Sequence, residues 1–496
     1  MKVGVRLSRN DFMYDMHSLV KAFFPDDDVS IYTEDEQVKC ALPKDLEFFV
    51  TIPDYTDRKE TKDALKRDLY RTLCEYTGNE LPWGTLSGIR PTKIPMKMLE
   101  EGMDDTAIQK SMMDTYLVSC AKAALALEVA KNEKRLLAGV PTGGDSMSLY
   151  LHVPFCPSIC LYCTFSASPV SMWQSRMDDY LAAVEKELYT NVHCKELPEV
   201  ALMPDRGMSK SAETKRKVYL PPENRYPAPV TFYVGGGTPT SLTADQLDRL
   251  LLAAENAYDL KNCAERTVEA GRPDSITREK LEVLKRHGIN RISVNPQTMN
   301  QRTLDLIGRH HTVDDTRRAF ALAREVGFDN INMDIILGLP GEETEDVEHT
   351  LREIEKLDPD SLTIHSLAVK RASRLTKALK EAYRAGTAPD YSRYDGLTFV
   401  NSEKIIDLAY TYARRMGMFP YYLYRQKNMK GGLENTGFAK PGKECLYNIL
   451  IMEEKQEIRA FGAGASSKTV SEDGRIERII NPKDVKTYLA RMEAED

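Results

Sequence analysis

Between residue 148 and about residue 370, apolar strand-like segments alternate with amphipathic helix-like segments, and this pattern restricts the fold more than any other feature. The strand-like segments are "LYLHV", "PVTFYV", "RTVEA", "RISVN", "INMDIIL" and "SLTIHSL". Helical spacing separates them, as in "MDDYLAAVEKEL" and "TREKLEVLKRHG". Such β/α repeats predict a parallel sheet with helical crossovers, either doubly wound or closed into a partial or full barrel. In both arrangements the functional site lies at the carboxyl ends of the strands.

The flanking regions predict further domains. Residues 1 to about 140 combine strand-like alternation in "MKVGVRLS" and "LEFFVTIP" with helical spacing in "TKDALKRDLYRTLCEY" and "DTYLVSCAKAALALEVAKNE". The stretch "LLAGVPTGGDSMS" predicts a boundary near residue 140. We therefore expect an N-terminal α+β domain over 1–140, a core over 148–370 and a C-terminal region over 371–496.

The sequence predicts a different local structure for each of three irregular regions. Residues 195–229 are polar and contain several prolines, which predicts a long surface loop. The stretch "YDGLTFVNSEKIIDLAYTYARRMG" predicts a helix, and the Gly-rich, basic stretch over 421–448 predicts a loop. After that loop, "IRAFGAGASSK" predicts a strand that runs into a turn of small residues.

Three of the nine cysteines, Cys156, Cys160 and Cys163, lie within eight positions, directly after the first strand of the alternating region. Clustered thiols in a long chain with scattered other cysteines indicate metal ligands or redox groups rather than a disulfide framework. A [4Fe–4S] cluster needs four ligands, so three cysteines would leave one iron for an exogenous chelator. A structural zinc site, with His152 as the fourth ligand, and a buried thiol cluster are the alternatives. We expect His152 to be a hydrogen-bonded core or rim histidine.

Polar residues and glycines follow the later strands of the alternating region. The segment "YVGGGTPTSL" would let a ligand approach the main chain and would present backbone N–H groups to it. Glu269 ends a strand, where a carboxylate can accept hydrogen bonds from an ammonium or a ribose. Arg309 is suited to a bidentate grip on a carboxylate, and Asp334 is an acid within an apolar strand that needs a partner.

Composition excludes two classes of function. The formal net charge of −7 argues against a protein that coats nucleic acid, which would be strongly basic. No stretch approaches the roughly 18 apolar residues of a membrane span, and the first twenty residues lack the apolar core of a secretory signal. We expect a cytoplasmic protein without a membrane span and without a nucleic-acid partner.

The spacing C-x3-C-x2-C, with Tyr162 directly before the third cysteine, resembles the signature of the radical S-adenosylmethionine (SAM) enzymes. The stretch "YLHVPFCPSICLYC" is similar to the oxygen-independent coproporphyrinogen III oxidase (dehydrogenase) group within them. The segments "PWGTLSGIRPTKIP", "EAGRPDSIT" and "VNPQTMN" resemble the HemZ-type branch, and this likeness covers nearly the whole chain. It implies an α/β fold with a partial (β/α)6-type TIM-like barrel, an N-terminal α+β domain and a smaller C-terminal α/β extension.

The resemblance also implies cofactors and the residues that bind them. Cys156, Cys160 and Cys163 would hold a [4Fe–4S] cluster, and the amino and carboxylate groups of SAM would occupy its open iron. The contacts to SAM that it implies are Tyr150, Tyr162, Gly236, Gly237, Thr238, Glu269, Gln297, Arg309, Asp334 and Ala368. Tyr162 would pack near the adenine.

The activity implied is oxidoreductase chemistry in haem biosynthesis. A 5′-deoxyadenosyl radical would take a hydrogen atom from a propionate of coproporphyrinogen III, and loss of CO2 and one electron would leave a vinyl group. A low-potential donor such as flavodoxin or ferredoxin would supply electrons. The cations expected to bind propionates are Lys370, Arg371, Arg374, Arg425, Lys427 and Lys430, and the pair His310 and His311 is a further candidate.

One departure from the resembled enzymes leaves other functions open. Phe165 stands two residues after the third cysteine, where the best-known oxidases carry a further cysteine. The alternatives are a haem-binding chaperone of the same family and a radical SAM enzyme that acts on another tetrapyrrole. A tRNA-modifying radical enzyme is a weaker alternative, because the chain is acidic.

Overall fold

The structure is a computed structural model, and it describes part of the chain. It describes all residues except 26, 34–44, 89, 164–166, 192–194, 201–215, 221–227, 368–400, 426–432, 472–474 and 495–496. For residues 143–145, 195–200 and 216–220 it describes the backbone alone. None of the helices in the described ranges has both the length and the apolar character needed to cross a membrane.

The described elements follow one another along the chain as strands and helices. The strands are β1 (Lys2–Leu7), β2 (Asp28–Thr33), β3 (Leu46–Val50), β4 (Gly143–Val153), β5 (Phe155–Cys156), β6 (Ser168–Pro169), β7 (Lys195–Val200), β8 (Arg216–Leu220), β9 (Thr231–Gly236), β10 (Glu265–Gly271), β11 (Arg291–Val294), β12 (Ile331–Leu337), β13 (Ser361–Ser366), β14 (Phe419–Arg425), β15 (Glu434–Ala439), β16 (Gln456–Phe461), β17 (Ser466–Val470) and β18 (Ile476–Ile480). The helices are α1 (Met13–Phe23), α2 (Arg58–Thr77), α3 (Lys93–Glu100), α4 (Asp105–Tyr116), α5 (Cys120–Leu137), α6 (Met177–Asn191), α7 (Ala244–Ala257), α8 (Arg278–Arg286), α9 (Gln301–Leu306), α10 (Val313–Val326), α11 (Thr344–Leu357), α12 (Glu403–Arg415), α13 (Leu446–Glu453) and α14 (Val485–Ala494).

These elements form two compact units, and each unit combines segments that are distant in the sequence. Unit 1 comprises Met1–Ala138, Gln297–Ile307 and Asp334–Glu444. Unit 2 comprises Gly139–Pro296, Gly308–Met333 and Cys445–Asp496. Strand β12 therefore contributes residues to both units. The expected division into three consecutive domains stays a prediction.

Unit 2 contains the parallel strands that position the cysteine loop. Strand β4 lies between β16 and β9, and β10, β11 and the first half of β12 follow in that order. The pairs β16–β4, β4–β9, β9–β10 and β10–β11 are all parallel. Helices α6, α7, α8 and α10 connect or follow these strands. Almost all residues of β9, β11 and β12 are buried, because parallel strands of this kind are covered on both faces.

Unit 1 contains the second half of β12, then β13, β15 and β14. Strand β15 pairs antiparallel with both β13 and β14. The loop predicted over 421–448 is therefore wrong where the chain forms β14 and β15. Gly437 explains part of the error, because a Cβ there would lie 1.9 Å from the ring of Tyr422. The glycine makes room for a tyrosine across the strand pair and does not mark a turn.

The N-terminal part of unit 1 is a three-stranded parallel sheet in the order β2-β1-β3, with α1 and α2 following β1 and β3. Helix α2 begins where the Asp57 side chain accepts hydrogen bonds from two backbone N–H groups and ends at Gly78, which has φ 67°. The segment "DTYLVSCAKAALALEVAKNE", in which the sequence shows helical spacing, belongs to two helices, α4 and α5. The chain turns at Leu117 (φ 55°), and Ser119 caps the N-terminus of α5.

Two further expectations need correction. Residues 195–229 do not form a loop throughout, because β7 and β8 pair as an antiparallel hairpin. Helix α12 begins at Glu403, capped by the Ser402 side chain, which is later than the sequence pattern indicated.

Candidate functional site

The three clustered cysteines lie on the loop that follows β4, which is called the cysteine loop below. Cys156 ends β5, and β5 pairs with β6 so that Phe155 lies opposite Ser168. The backbone N–H of Cys163 donates to the Cys160 carbonyl over 3.1 Å. None of these three cysteines forms a disulfide with another described residue, and Cys160 is buried. The loop is thus a short closed segment with three thiols.

Burial controls the protonation of this loop. Burial raises the pKa of the Cys156 thiol to about 11, while a hydrogen bond with the Thr238 hydroxyl and the charge of Arg272 act in the opposite direction. The Cys156 Sγ lies 3.5 Å from the Thr238 Oγ1. Within the described part of the chain, no three His, Cys, Asp or Glu side chains are grouped closely enough to bind a single metal ion. In a [4Fe–4S] cluster each cysteine binds a different iron, so its ligands lie farther apart.

The last two residues of β9, Gly235 and Gly236, make room for side chains of neighbouring strands. A Cβ on Gly235 would lie 2.9 Å from the Cδ of Glu269. A Cβ on Gly236, which has φ +110°, would lie 2.7 Å from the His152 ring. Both positions therefore require glycine because of close packing, and Gly236 also because of its backbone conformation.

The backbone donors of the glycine segment are already in use. The N–H of Gly237 donates to the Val153 carbonyl over 2.8 Å, and the N–H of Thr238 donates to the Phe155 carbonyl over 2.7 Å. The expectation that the segment presents N–H groups to a ligand is therefore wrong at these two residues. They instead fix the start of the cysteine loop against the end of β9.

His152 is a core histidine, as expected. It is 8% exposed, its Nδ1 lies 3.2 Å from the Tyr150 hydroxyl, and its ring packs against Gly236. The Tyr180 hydroxyl donates to its backbone carbonyl over 2.6 Å. These contacts hold the imidazole within the sheet.

Glu269 lies at the end of β10 beside a stack of tyrosines. The Tyr233 hydroxyl donates to the Glu269 Oε1 over 2.6 Å. The ring of Tyr233 stacks on that of Tyr447 with centroids 4.4 Å apart, and Tyr150 stacks on Tyr447 at 6.0 Å. Sequence reasoning did not identify Tyr233 or Tyr447. The signal for Tyr233 was its place two residues before the buried Gly235, whereas nothing local marked Tyr447.

Arg309 lies against the cysteine loop. Its Nη2 donates to the Asn295 carbonyl over 2.6 Å, its Nη1 lies 3.9 Å from the Cys160 Sγ, and it is 4% exposed. Burial works against the cation, but the charges of Tyr162 and Cys160 raise its pKa, so Arg309 stays charged. Burial in turn raises the pKa of Tyr162, which Arg309 partly offsets.

The surroundings of Arg309 fit a charged ligand. In the described residues, the buried Arg309 Nε and Asn295 Oδ1 have no hydrogen-bond partner. Unpaired buried polar atoms are costly unless a ligand or water satisfies them. Thiols on one loop, a buried guanidinium and a strand-end carboxylate in the same unit are the groups that an iron–sulfur cluster and an amino acid ligand require.

Two of the expected SAM contacts lie in unit 1. Gln297 has φ 68°, and hydrogen bonds at 3.0 and 2.9 Å join its backbone to Asp334 and Ile336. The Asp334 Oδ2 lies 3.8 Å from the His365 Nε2. Ala368 lies outside the described residues. The roles of these residues toward SAM stay predictions.

Only some of the expected propionate-binding residues lie among the described residues. Arg425 is buried, lies over the Trp83 ring and donates to the Leu86 carbonyl, so it is not a surface cation. His310 is exposed, whereas His311 is 1% exposed. The other candidates and Phe165 lie outside the described residues: Lys370, Arg371, Arg374, Lys427 and Lys430.

Comparisons with known proteins agree with this geometry. Residues 150–354 match the sequence model of the Radical SAM superfamily. The chain is 39% identical over 446 residues, 89% of its length and 81% of the relative, to "Oxygen-independent coproporphyrinogen-III oxidase-like protein HemZ" of Bacillus subtilis (strain 168). It is 29% identical, over 64% of its length and 70% of the relative, to "Heme chaperone HemW" of the same organism.

A solved structure shows the fold. The chain matches the structure described as "Coproporphyrinogen III oxidase (HemN) from Escherichia coli is a Radical SAM enzyme", with a TM-score of 0.51 and 21% identity. The match covers 73% of this chain and 72% of that one. The predicted α/β fold with a partial (β/α)6-type barrel is therefore confirmed.

Proposed function

Because the chain belongs to the radical SAM superfamily, in the coproporphyrinogen-III oxidase-like group with HemZ, we propose that it oxidatively decarboxylates coproporphyrinogen III in the cytoplasm. Its cofactors are those of the family, a [4Fe–4S] cluster and SAM. The observation that carries the proposal is the cysteine loop, with Arg309 and Glu269 in the same unit, in a chain 39% identical to HemZ.

The thiols of Cys156, Cys160 and Cys163 would hold the cluster. Ligation requires thiolates, and burial raises the pKa of Cys156 to about 11, so iron must displace that proton as it binds. Thr238 is placed to donate a hydrogen bond to the resulting Cys156 sulfur, because its hydroxyl already lies 3.5 Å from it. A hydrogen bond to a ligating sulfur stabilises the charged form.

Glu269 and Arg309 would bind the two charged ends of the methionyl part of SAM. Glu269 would accept hydrogen bonds from the ammonium, and the Tyr233 hydroxyl fixes the direction of its carboxylate. Arg309 would bind the carboxylate, because its Nε has no partner among the described residues and its Nη2 is anchored on the Asn295 carbonyl. Opposite charges held at fixed positions orient a zwitterion before any chemistry begins.

When bound, the cluster and SAM would supply the radical chemistry that oxidises a propionate side chain to a vinyl group with loss of CO2, and an external electron acceptor would take the remaining electron. Two such rounds convert coproporphyrinogen III to protoporphyrinogen IX. The chain's own part is to exclude water and to hold its groups rigid. The stack of Tyr150, Tyr233 and Tyr447 would serve both purposes, because it places the buried rings of Tyr233 and Tyr447 and the half-buried ring of Tyr150 beside Glu269. We propose flavodoxin or ferredoxin as the electron donor.

A haem-binding chaperone is the second candidate. The likeness to "Heme chaperone HemW" supports it, because that match extends over 70% of the relative. A chaperone of this kind would bind haem in a fixed ratio and would leave coproporphyrinogen unchanged.

The test is an anaerobic assay with reconstituted protein, dithionite, SAM and coproporphyrinogen III. Mass spectrometry quantifies 5′-deoxyadenosine and vinyl-bearing porphyrins, with Cys160→Ala as the inactive variant and Cys263→Ala, outside the loop, as the matched control. We expect both products from the wild type and the control and neither from Cys160→Ala. Formation of 5′-deoxyadenosine without vinyl products would indicate that the substrate is another tetrapyrrole. Stoichiometric haem binding without either product would favour the chaperone.

A further inference from the structure

The cysteine loop is tied to the end of β10 by an arginine that belongs to no expected cofactor contact. Arg272 follows β10 directly and is 3% exposed. Its Nη1 donates to Ser158 twice, to the carbonyl oxygen at 3.2 Å and to the Oγ at 2.8 Å. Ser158 lies between Cys156 and Cys160, so Arg272 holds the middle of the loop.

The other side of the guanidinium is held equally firmly. Asp274 accepts its Nε at 3.0 Å and its Nη2 at 2.8 Å in a two-pronged ion pair. The Ser158 Oγ in turn donates to the Gly308 carbonyl over 2.8 Å, directly before Arg309. Any other conformation that broke these contacts would leave a buried donor without its acceptor, which is costly.

The charges around the loop do not cancel. Arg272 and Arg309 are both buried cations. Among the described residues, Asp274 is the carboxylate that pairs with Arg272, and the hydrogen bonds of Arg309 go to a carbonyl, a thiol and the Tyr162 side chain. Burial acts to raise the pKa of Asp274, but its hydrogen bonds with Arg272 hold it below the ordinary value, so it is ionised. One positive charge remains without a carboxylate.

A cluster bound by three thiolates would supply the missing negative charge. Its oxidised form carries one net negative charge with its three thiolates, and its reduced form carries two. A fixed cation beside the loop stabilises the reduced form more than the oxidised form.

We propose that Arg272 is a positioning residue that fixes the cysteine loop through Ser158 and that its charge raises the reduction potential of the cluster. The inference rests on the proposed assignment of the three cysteines to the cluster. It does not depend on which tetrapyrrole the protein uses.

The experiment is a redox titration of the reconstituted full-length protein, without substrate, in which dithionite donates one electron to each cluster and electron paramagnetic resonance counts the reduced form. Iron retention against a chelator is measured in parallel. For Arg272→Gln we expect the one-electron reduction equilibrium to become at least about tenfold less favourable, which is about 59 mV. Ser158→Ala keeps the charge and removes the side-chain tether. We expect it to lose iron faster, with a one-electron reduction equilibrium constant within about threefold of the wild-type value.

Arg249→Gln is the matched control. Arg249 is a half-buried arginine of unit 2 in a two-pronged pair with Glu185, at 2.7 and 2.6 Å, on helix α7. We expect it to change neither the potential nor iron retention. A wild-type potential in Arg272→Gln would overturn the electrostatic part of the proposal, and wild-type retention in Ser158→Ala would overturn the positioning part.

Asp274→Asn keeps the proposal testable if Arg272→Gln takes up no cluster. It removes the carboxylate that partly neutralises Arg272, so we expect a less negative potential, and an unchanged or more negative one would refute the charge effect. Cys160→Ala tests the assignment of the cysteines to the cluster separately from the role of Arg272. If that variant gives the same cluster signal as the wild type, the cysteine assignment fails and the role of Arg272 fails with it.

Discussion

A buried ion pair in unit 1 gives the most specific stability prediction. Lys122 and Glu434 are 2% and 0% exposed, with the Nζ and Oε1 atoms 2.6 Å apart. The Glu434 carboxylate also accepts the Trp83 Nε1–H at 2.7 Å and the Tyr410 hydroxyl at 2.8 Å. The network joins α5, α12 and β15, so its loss would destabilise the packing of three elements of one unit.

Replacing Lys122 by Met removes the cation and leaves Glu434 with two neutral donors. Breaking a buried pair in this way costs about 3–5 kcal/mol of unfolding free energy. We expect about 3 kcal/mol, because the hydrogen bonds from Trp83 and Tyr410 remain and each contributes about 1.5 kcal/mol or more to a charged acceptor. Glu434→Gln should cost more, since it leaves the ammonium buried without a counter-charge.

The assay uses Trp83 itself. The chain has two tryptophans, so in a Trp173→Phe background the emission during urea unfolding comes from Trp83, within the network. Lys131→Met is the matched control on the same helix, because its pair with Asp105 is 52% and 55% exposed and should contribute about 0.5 kcal/mol or less. A loss below about 1 kcal/mol for Lys122→Met would refute the reasoning.

Three further predictions follow from individual residues. Gly236→Ala places a Cβ 2.7 Å from the His152 ring and should lower the thermal stability of unit 2 more than Gly327→Ala, which also has positive φ but open space around it. Equal melting temperatures would contradict this. Burial lowers the pKa of Lys66 from 10.5 to about 8. Between pH 8 and 10.5, Lys66 is therefore protonated in the unfolded state but neutral in the folded state. Below pH 8 the buried ammonium destabilises the fold, so Lys66→Met should stabilise the protein by about 3 kcal/mol there, and this gain should fade as the pH rises toward 10.5. A gain that urea unfolding finds constant from pH 7 to 10 would rule out this cause. Burial also lowers the pKa of His311 from 6.5 to about 3, so the wild type should lose about 2 kcal/mol between pH 7 and 5, whereas His311→Gln should not. Parallel acid denaturation curves for the two proteins would count against it.

Much of the fold could be predicted because its signals are local. The strands β9 to β13 read as short apolar runs between amphipathic helices, and burial of both faces of a parallel sheet produces that pattern. The strands β14 and β15 could not, because Gly437 looks like a turn residue until the Tyr422 ring is placed over it. The break between α4 and α5 at Leu117 was also hidden, because the apolar spacing continues through it.

The candidate site divides in the same way. The spacing of Cys156, Cys160 and Cys163 is a local signal, and so the loop could be predicted from it. Tyr447 and Arg272 could not be recognised, because their importance depends on which strand ends lie beside them in the folded chain. In the glycine segment, the expectation that N–H groups face a ligand is wrong at Gly237 and Thr238, and the role of the segment toward SAM stays a prediction. Its glycines admit protein side chains, and its N–H groups bind the chain itself.

The small bridge between β5 and β6 has a consequence for how the cluster is assembled. It joins Phe155 to Ser168 and Cys156 to Pro169, so the segment between them is a ring closed by main-chain pairing. Closing a ring of about 11 residues costs about 2 kcal/mol of chain entropy. That cost falls on the folding of the apoprotein and not on metallation. Iron uptake should therefore depend on pH, through the thiol protons, more strongly than on chain motion.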